Sequence, residues 1–450
     1  MAEDIRATRT IDIKAFIDGR PIAPFLWALV AMCFLVVVAD GMDVAIMGFV
    51  TPSILHDWNI SRLAFGLVIS AAPFGLVIGA LIAGPLSDRI GRKRVLTASV
   101  LLFGVFTVIA AWSSSPQEMA LWRLLGGTGM GAAMPNAATL LSEYAPQRRR
   151  ALLITIMFAG FTLGSAAIGF IASIMIPHFG WRSVLLAGGI APLMLVPVLV
   201  TCLPESALFM ALHGAPADKI ASVLGRVTGA SFAGGENFIA PGPLLRAKTP
   251  VGALFSSGYA ATTAALWITC FMSLMVVYLL TGWLPTLMKD AGLTITAAAD
   301  VTAMFQVGGT IGAILIGWIM DMGSPSRVIA AGYLAGAVFI LGVAGVGVLS
   351  GWLAILVLAA GFCVSGAQSG LNAFVPGCYP TAARATGVSW MLGMGRFGSI
   401  AGPLVGGALL ELGWSFGAIL GLLAIPALCA AVAIASLRPM AVKSLRRAIA

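Results

Sequence analysis

Apolar residues along this chain fall into twelve long runs rather than the two-residue alternation of half-buried strands. The runs cover roughly 24–50, 62–86, 94–113, 117–142, 150–174, 183–203, 259–285, 298–320, 326–349, 352–374, 385–408 and 414–436. About 20 apolar residues in a helix cross the ~30 Å hydrocarbon core of a bilayer. Each run therefore predicts a membrane-spanning helix. Residues 204–258 break the pattern with Gly, Pro and mixed charge, with helical potential over Ala207–Val227. The expected fold is an all-α membrane protein with twelve transmembrane helices in two six-helix bundles. The expected divisions are an N-terminal tail (1–23), a first bundle (24–203), a central linker (204–258), a second bundle (259–436) and a C-terminal tail (437–450).

Charge adds an orientation. The polar stretch before residue 24 contains acids and precedes a long apolar run, so that run is expected to be a retained span and not a cleaved signal. Lys and Arg concentrate on the side of the two tails, the central linker and the loops after the second and fourth runs. The opposite loops hold only Arg62, Arg182 and Lys289. Basic loops stay in the cytoplasm, which predicts that both termini are cytoplasmic. The net charge of +9 follows from this asymmetry and gives no separate support to nucleic-acid binding. The six cysteines are scattered in or beside the runs without a Cys-x-x-Cys pair, so neither a disulfide framework nor a metal site is expected. No nucleophile–base pair stands out, and an enzyme is not expected. The three histidines (His56, His178, His213) fall between runs, away from any proton path through the membrane.

The two halves repeat weakly. Gly84-Pro-Leu-Ser-Asp88 closes the second run, and Gly317-Trp-Ile-Met-Asp321 closes the eighth about 233 residues later. Pro146 with Arg150 and Pro380 with Arg384 open the fifth and eleventh runs at an offset of 234, which Gly164 and Gly398 share. A duplicated six-span unit is a recurrent transporter plan. Four charges break the repeat: Asp40, Asp43, Arg123 and Arg396 face Leu274, Val277, Val357 and Thr162 at the equivalent positions. The common scaffold does not require them, so they are candidates for a task specific to this chain.

The acids are costly where they stand. A charge in mid-membrane costs about 2.5–3.5 kcal/mol on insertion scales and usually faces the protein interior. Asp40 and Asp43, three residues apart, share one helix face. At ~1.5 Å per residue Asp43 lies ~28 Å from the basic start of its helix and Arg123 ~30 Å from the basic end of its own. Their depths match, which predicts an Asp43–Arg123 pair. Arg396 lies ~20 Å into the eleventh run, where a guanidinium can hold a carboxylate through two parallel hydrogen bonds. Trp267, Phe271, Tyr278 and Phe305 are candidates for a ring pocket, and Asn136 is a buried amide by position. Asp88, Arg92, Glu143, Asp321 and Arg384 are the candidates for a cytoplasmic gate.

Gly84-Pro-Leu-Ser-Asp-Arg-Ile-Gly-Arg-Lys-Arg94 resembles, almost position for position, the loop between the second and third helices of the major facilitator superfamily. Gly84 and Gly91 are read as permitting a sharp turn and close helix approach. After Asp321 the second copy departs from the motif and retains only Arg327 as a base. Asp40-Gly-Met-Asp43, Met130–Pro146 and Gly393–Pro403 are similar to three signatures of that superfamily's aromatic acid:proton symporter family. The resemblance implies uptake of a small aromatic carboxylate, such as a hydroxybenzoate, driven by inward proton flow in a bacterial inner membrane. The residues point the same way: low dielectric and a like charge raise a carboxyl pKa and an arginine lowers it, so Asp40 and Asp43 are the expected proton-coupling acids, with substrate contacts expected from Arg396, Arg123 and the pocket residues named above. No cofactor is expected, and the chain is expected to work as a monomer. Proton-driven efflux of a drug or organic anion, and a membrane chemoreceptor for aromatic acids, are the alternatives.

Overall fold

A computed structural model describes residues 10–232, 235–240, 259–348, 350–379 and 381–437, apart from the side chains of residues 151 and 381–385. The chain begins with β1 (Thr10–Asp12) and α1 (Ile13–Asp18). Six long helices follow: α2 (Pro24–Trp58), α3 (Arg62–Ile90), α4 (Arg92–Ala110), α5 (Pro116–Tyr144), α6 (Arg150–Phe179) and α7 (Trp181–Cys202). The linker forms α8 (Ala207–Leu212), α9 (Ala217–Thr228) and β2 (Asn237–Ile239). Six more long helices complete the fold: α10 (Ala260–Asp290), α11 (Ile295–Met322), α12 (Pro325–Val346), α13 (Leu353–Phe374), α14 (Thr381–Glu411) and α15 (Phe416–Ala435). Among the described residues ten helices are long and apolar enough to cross a membrane. The other two long helices, α5 and α14, are those that carry Arg123 and Arg396.

Within the first bundle α3 packs on α5, α2 on α6, and α4 on both α5 and α7. The second bundle repeats this as α11 on α13, α10 on α14, and α12 on both α13 and α15. The duplication reaches individual backbones. Gly75 and Gly79 of α3 lie against Leu124 and Thr128 of α5, and Gly308 and Gly312 of α11 lie against Leu358 and Phe362 of α13 in the same way. A Cβ at any of these glycines would collide with a backbone carbonyl, so each pair of helices meets at nearly the closest distance two backbones allow.

Helix polarity places the ends at which Arg92–Arg94 and Arg148–Arg150 sit together; this is the basic end. The bundles meet through α2 with α10, α3 with α14 and α6 with α11. At the opposite end Arg62 pairs with Asp290 at 2.6 Å, and its backbone N–H donates to Glu411 at 2.9 Å. Further in, Ser70 donates to the Ile400 carbonyl at 3.1 Å. Near mid-length, Thr310 donates to Thr162 at 2.8 Å.

The basic end of the first bundle carries a cap that the apolar pattern does not reveal. β1 and β2 pair in parallel, tying the segment before α2 to the linker. Lys14 Nζ donates to the carbonyls of Ser142, Glu143 and Ala145 at 3.2, 3.3 and 3.2 Å, which ends α5 with a cation where its terminal carbonyls need donors. Burial, then the charge of Arg150, hold the Lys14 ammonium below the usual lysine pKa.

Candidate functional site

The site is built on the face of α2 that Asp40 and Asp43 share. Asp43 is fully buried and Arg123 is 2% exposed. Arg123 Nη1 donates to Asp43 Oδ1 at 2.8 Å, and Nη2 donates to the Asp43 backbone carbonyl at 3.0 Å. Thr107 of α4 donates its hydroxyl to the same Asp43 oxygen and lies 3.4 Å from Arg123 Nη1. Three helices of one bundle thus converge on a single ion pair. The pair is not saturated: Asp43 Oδ2 and Arg123 Nε have no hydrogen-bond partner among the described residues.

Asp40, one helical turn nearer the basic end, is 2% exposed, and its Oδ1 has no hydrogen-bond partner among the described residues. The charges acting on it are those of Arg396 of α14 and Asp43. Arg396 Nη1 approaches the Tyr278 hydroxyl of α10 at 3.4 Å. Tyr278 in turn feels both Arg396 and Asp40. Asp40, Tyr278 and Arg396 therefore form a polar group across the bundle interface. A cavity between the bundles joins this group to the ion pair, with Arg123, Tyr278 and Thr281 as its polar lining and Val44, Met47 and Ile69 among its apolar lining.

At the basic end, α3 and α4 are separated by one residue, Gly91. Its φ of +103° favours glycine, and a Cβ there would strike the Glu205 carboxylate. Gly84 has open space around its Cβ position, so the close helix approach expected there is absent. Arg92 binds Asp88 at 3.0 Å and Glu143 at 3.3 Å. Glu205, from the start of the linker, accepts the backbone N–H groups of Arg92, Lys93 and Ser206 at 2.9, 3.2 and 2.9 Å. A carboxylate on a helix N-terminus is favourable. Tyr144 supports it by donating to the Glu205 carbonyl while accepting from Ala207 N–H. Asp321 is exposed and makes no ion pair among the described residues, and the Arg384 side chain lies outside them. Replacing Glu205 with Ala is expected to cost about 1–3 kcal/mol. The check is the apparent melting temperature of detergent-purified protein, which should fall by several degrees.

The remaining sequence candidates are dispersed. Trp267 stacks on Trp390 of α14 with ring centroids 5.8 Å apart, close to the basic end of α10. The Phe271 backbone lies against Gly398, so its position serves the α10–α14 contact. Phe305 is 1% exposed and faces Leu280, Ile340 and Val357 inside the second bundle, which makes it core packing and not a wall of the interface cavity. Its helix was legible; the direction it faces around that helix was not. Asn136 is buried and donates to the Ala132 carbonyl of its own helix at 2.7 Å. Sequence reasoning missed Thr107, Glu205, Thr281 and Gln306. The depth argument that paired Asp43 with Arg123 extends to Thr107, three residues from the end of α4.

The family model described as Major Facilitator Superfamily matches residues 33–321 and 266–448. The gallate transporter of Pseudomonas putida is 53% identical over 424 residues, 94% of this chain and 94% of that protein. The 4-hydroxybenzoate transporter PcaK of Pseudomonas aeruginosa is 46% identical over 430 residues, 95% of this chain and 96% of that one. Among solved structures, the inward open conformation of the xylose transporter XylE from E. coli superposes with a TM-score of 0.72 at 16% identity. That alignment covers 94% of this chain and 99% of that one.

Proposed function

This chain belongs to the major facilitator superfamily, and from that premise we propose that it takes up a hydroxylated aromatic carboxylate by proton symport through alternating access. It is a membrane transporter of the aromatic acid group and not an enzyme. The observation that carries the finer reading is Asp40: a buried carboxyl with an unsatisfied oxygen, facing Arg396 and Tyr278 across the bundle interface.

Proton coupling needs a carboxyl whose charge state depends on its neighbours. Burial and a nearby acid favour the neutral form of a carboxyl, and a nearby guanidinium favours the charged form. Substrate binding changes that balance. When an aromatic carboxylate takes Arg396, the guanidinium is neutralised and Asp40 loses its compensating charge, so Asp40 takes a proton. The loaded site is then electrically neutral, which lowers the cost of carrying it through an occluded state. The unsatisfied Asp43–Arg123 pair supports a role in the cycle, since an ion pair kept only for structure is stable when all its groups are satisfied.

The basic end is cytoplasmic in this reading, as the distribution of Lys and Arg indicates. Both termini and the linker then lie inside the cell. The Arg62–Asp290 and Arg62–Glu411 contacts close the outer end, which supports an inward-facing resting arrangement. Outward opening breaks them.

Arg396→Lys is expected to raise the KM for aromatic acid uptake by tenfold or more, because an ammonium cannot reproduce the planar two-point grip. Membrane abundance should be unchanged, and unaltered uptake kinetics would remove Arg396 from the site. The test of the function itself is uptake of labelled gallate, 4-hydroxybenzoate and benzoate into cells with and without a protonophore. Protonophore-sensitive accumulation supports symport, and insensitivity argues against it.

A further inference from the structure

Several buried threonines of this fold donate their hydroxyl to the carbonyl four residues back on their own helix. Thr51, Thr269 and Thr302 all do so, on α2, α10 and α11. Thr281 of α10 does not. Its Oγ1 accepts from Gln306 Nε2 of α11 at 3.1 Å, and among the described residues its own proton has no acceptor. Thr281 is 6% exposed and lines the cavity between the bundles beside Tyr278 and Arg123. Its place is fixed, because its backbone carbonyl lies where Gly48 of α2 leaves no room for a Cβ.

The arrangement is that of a donor waiting for a ligand. Gln306 occupies one lone pair of Thr281 and orients the hydroxyl, leaving the proton for an acceptor in the cavity. Thr281 also lies one turn beyond Tyr278, whose hydroxyl contacts Arg396. The rise from Tyr278 to Thr281 is ~4.5 Å, which sets Thr281 deeper toward the outer end of α10 than the Tyr278–Arg396 contact. A ring whose carboxylate is held by Arg396 and whose body extends past Tyr278 into this cavity would carry its far edge toward Thr281. The side walls supplied by Val44, Met47 and Ile69 are apolar, as the faces of a ring require.

We infer that Thr281, oriented by Gln306, is the residue that selects a hydroxyl on the ring carbon opposite the carboxylate. The inference rests on the aromatic acid reading above and adds to it the group that reads the substituent. A substrate hydroxyl accepts from Thr281, and an acid without one leaves that donor buried and unpaired. Such a site rejects the bare acid far more strongly than an apolar pocket could.

The experiment compares initial uptake rates of labelled benzoate, 2-hydroxybenzoate and 4-hydroxybenzoate by the full chain. The wild type and Thr281→Val and Thr281→Ser variants are brought to equal membrane abundance. Valine preserves shape and removes the hydroxyl; serine restores it. Thr281→Val is expected to raise the KM for 4-hydroxybenzoate by about tenfold or more and to lower the KM for benzoate and 2-hydroxybenzoate, which no longer leave a buried donor unpaired. Thr281→Ser should recover most of the preference. Equal changes for all three acids, or none for 4-hydroxybenzoate, would overturn the assignment of Thr281. Failure of the wild type to move any of the three would overturn the aromatic acid reading itself, a result visible before any variant is compared.

Discussion

Replacing Asp40 with Asn is expected to end uphill accumulation while sparing exchange. Asparagine mimics the protonated carboxyl in size and charge, so the loaded site remains neutral and the bundles can still alternate. What is lost is release of the proton. A pH gradient of one unit is worth ~1.4 kcal/mol per proton, or tenfold in accumulation for one proton per substrate. In vesicles under such a gradient the wild type should therefore concentrate the acid about tenfold, and Asp40→Asn should stop near a ratio of ~1. Counterflow of labelled against unlabelled acid without a gradient should persist in the variant. Retained pH-driven accumulation would take Asp40 out of the coupling mechanism. Loss of counterflow together with accumulation would assign it to substrate binding.

The second large effect is at Asp43. Asp43→Ala leaves the Arg123 guanidinium 2% exposed with no opposing charge. Removing one partner of a buried pair typically costs about 3–5 kcal/mol, and the expected result is a severe drop in folded protein in the membrane. The charge-reversed double variant, Asp43→Arg with Arg123→Asp, puts opposite charges back in the same space and should recover much of that abundance. It should not recover transport. In the native arrangement Arg123 also donates to the Asp43 backbone carbonyl, and Thr107 donates to the Asp43 carboxylate. Neither contact is reproduced when the charges trade helices. Abundance by immunoblot and uptake on the same membranes separate the two results. Full transport by the swapped protein would reduce the pair to a static neutralisation of two buried charges.

These residues also indicate what the amino-acid order alone conveys. The Asp43–Arg123 contact was legible because both residues lie on helices of known rise, and depth along a membrane helix follows from counting. Angle around the helix is a weaker inference. Tyr278 and Phe305 were both candidates for the ring pocket as aromatic residues on spans, yet Tyr278 faces Arg396 while Phe305 faces the interior of the second bundle. The Gly75, Gly79, Gly308 and Gly312 contacts repeat a pattern already present in the sequence offsets. The parallel pairing of β1 with β2 was hidden, since three-residue strands in polar segments have too few positions for alternation to register. Glu205 was hidden for a related reason. It belongs to the linker by sequence, and only folding brings its carboxylate onto the N-terminus of α4. Thr281 looked like any small polar residue in a span, because its distinction is a hydrogen bond it does not make to its own helix.

The central claim is that an aromatic acid and a proton move together through this protein. The most direct test reconstitutes purified protein in liposomes containing a pH-sensitive dye, imposes an inward gradient of 4-hydroxybenzoate with no initial pH difference, and follows luminal pH. Protein-dependent acidification of the lumen in step with substrate entry, absent from Asp40→Asn liposomes, is the predicted result. Substrate entry without protein-dependent acidification, or with alkalinisation, would contradict it.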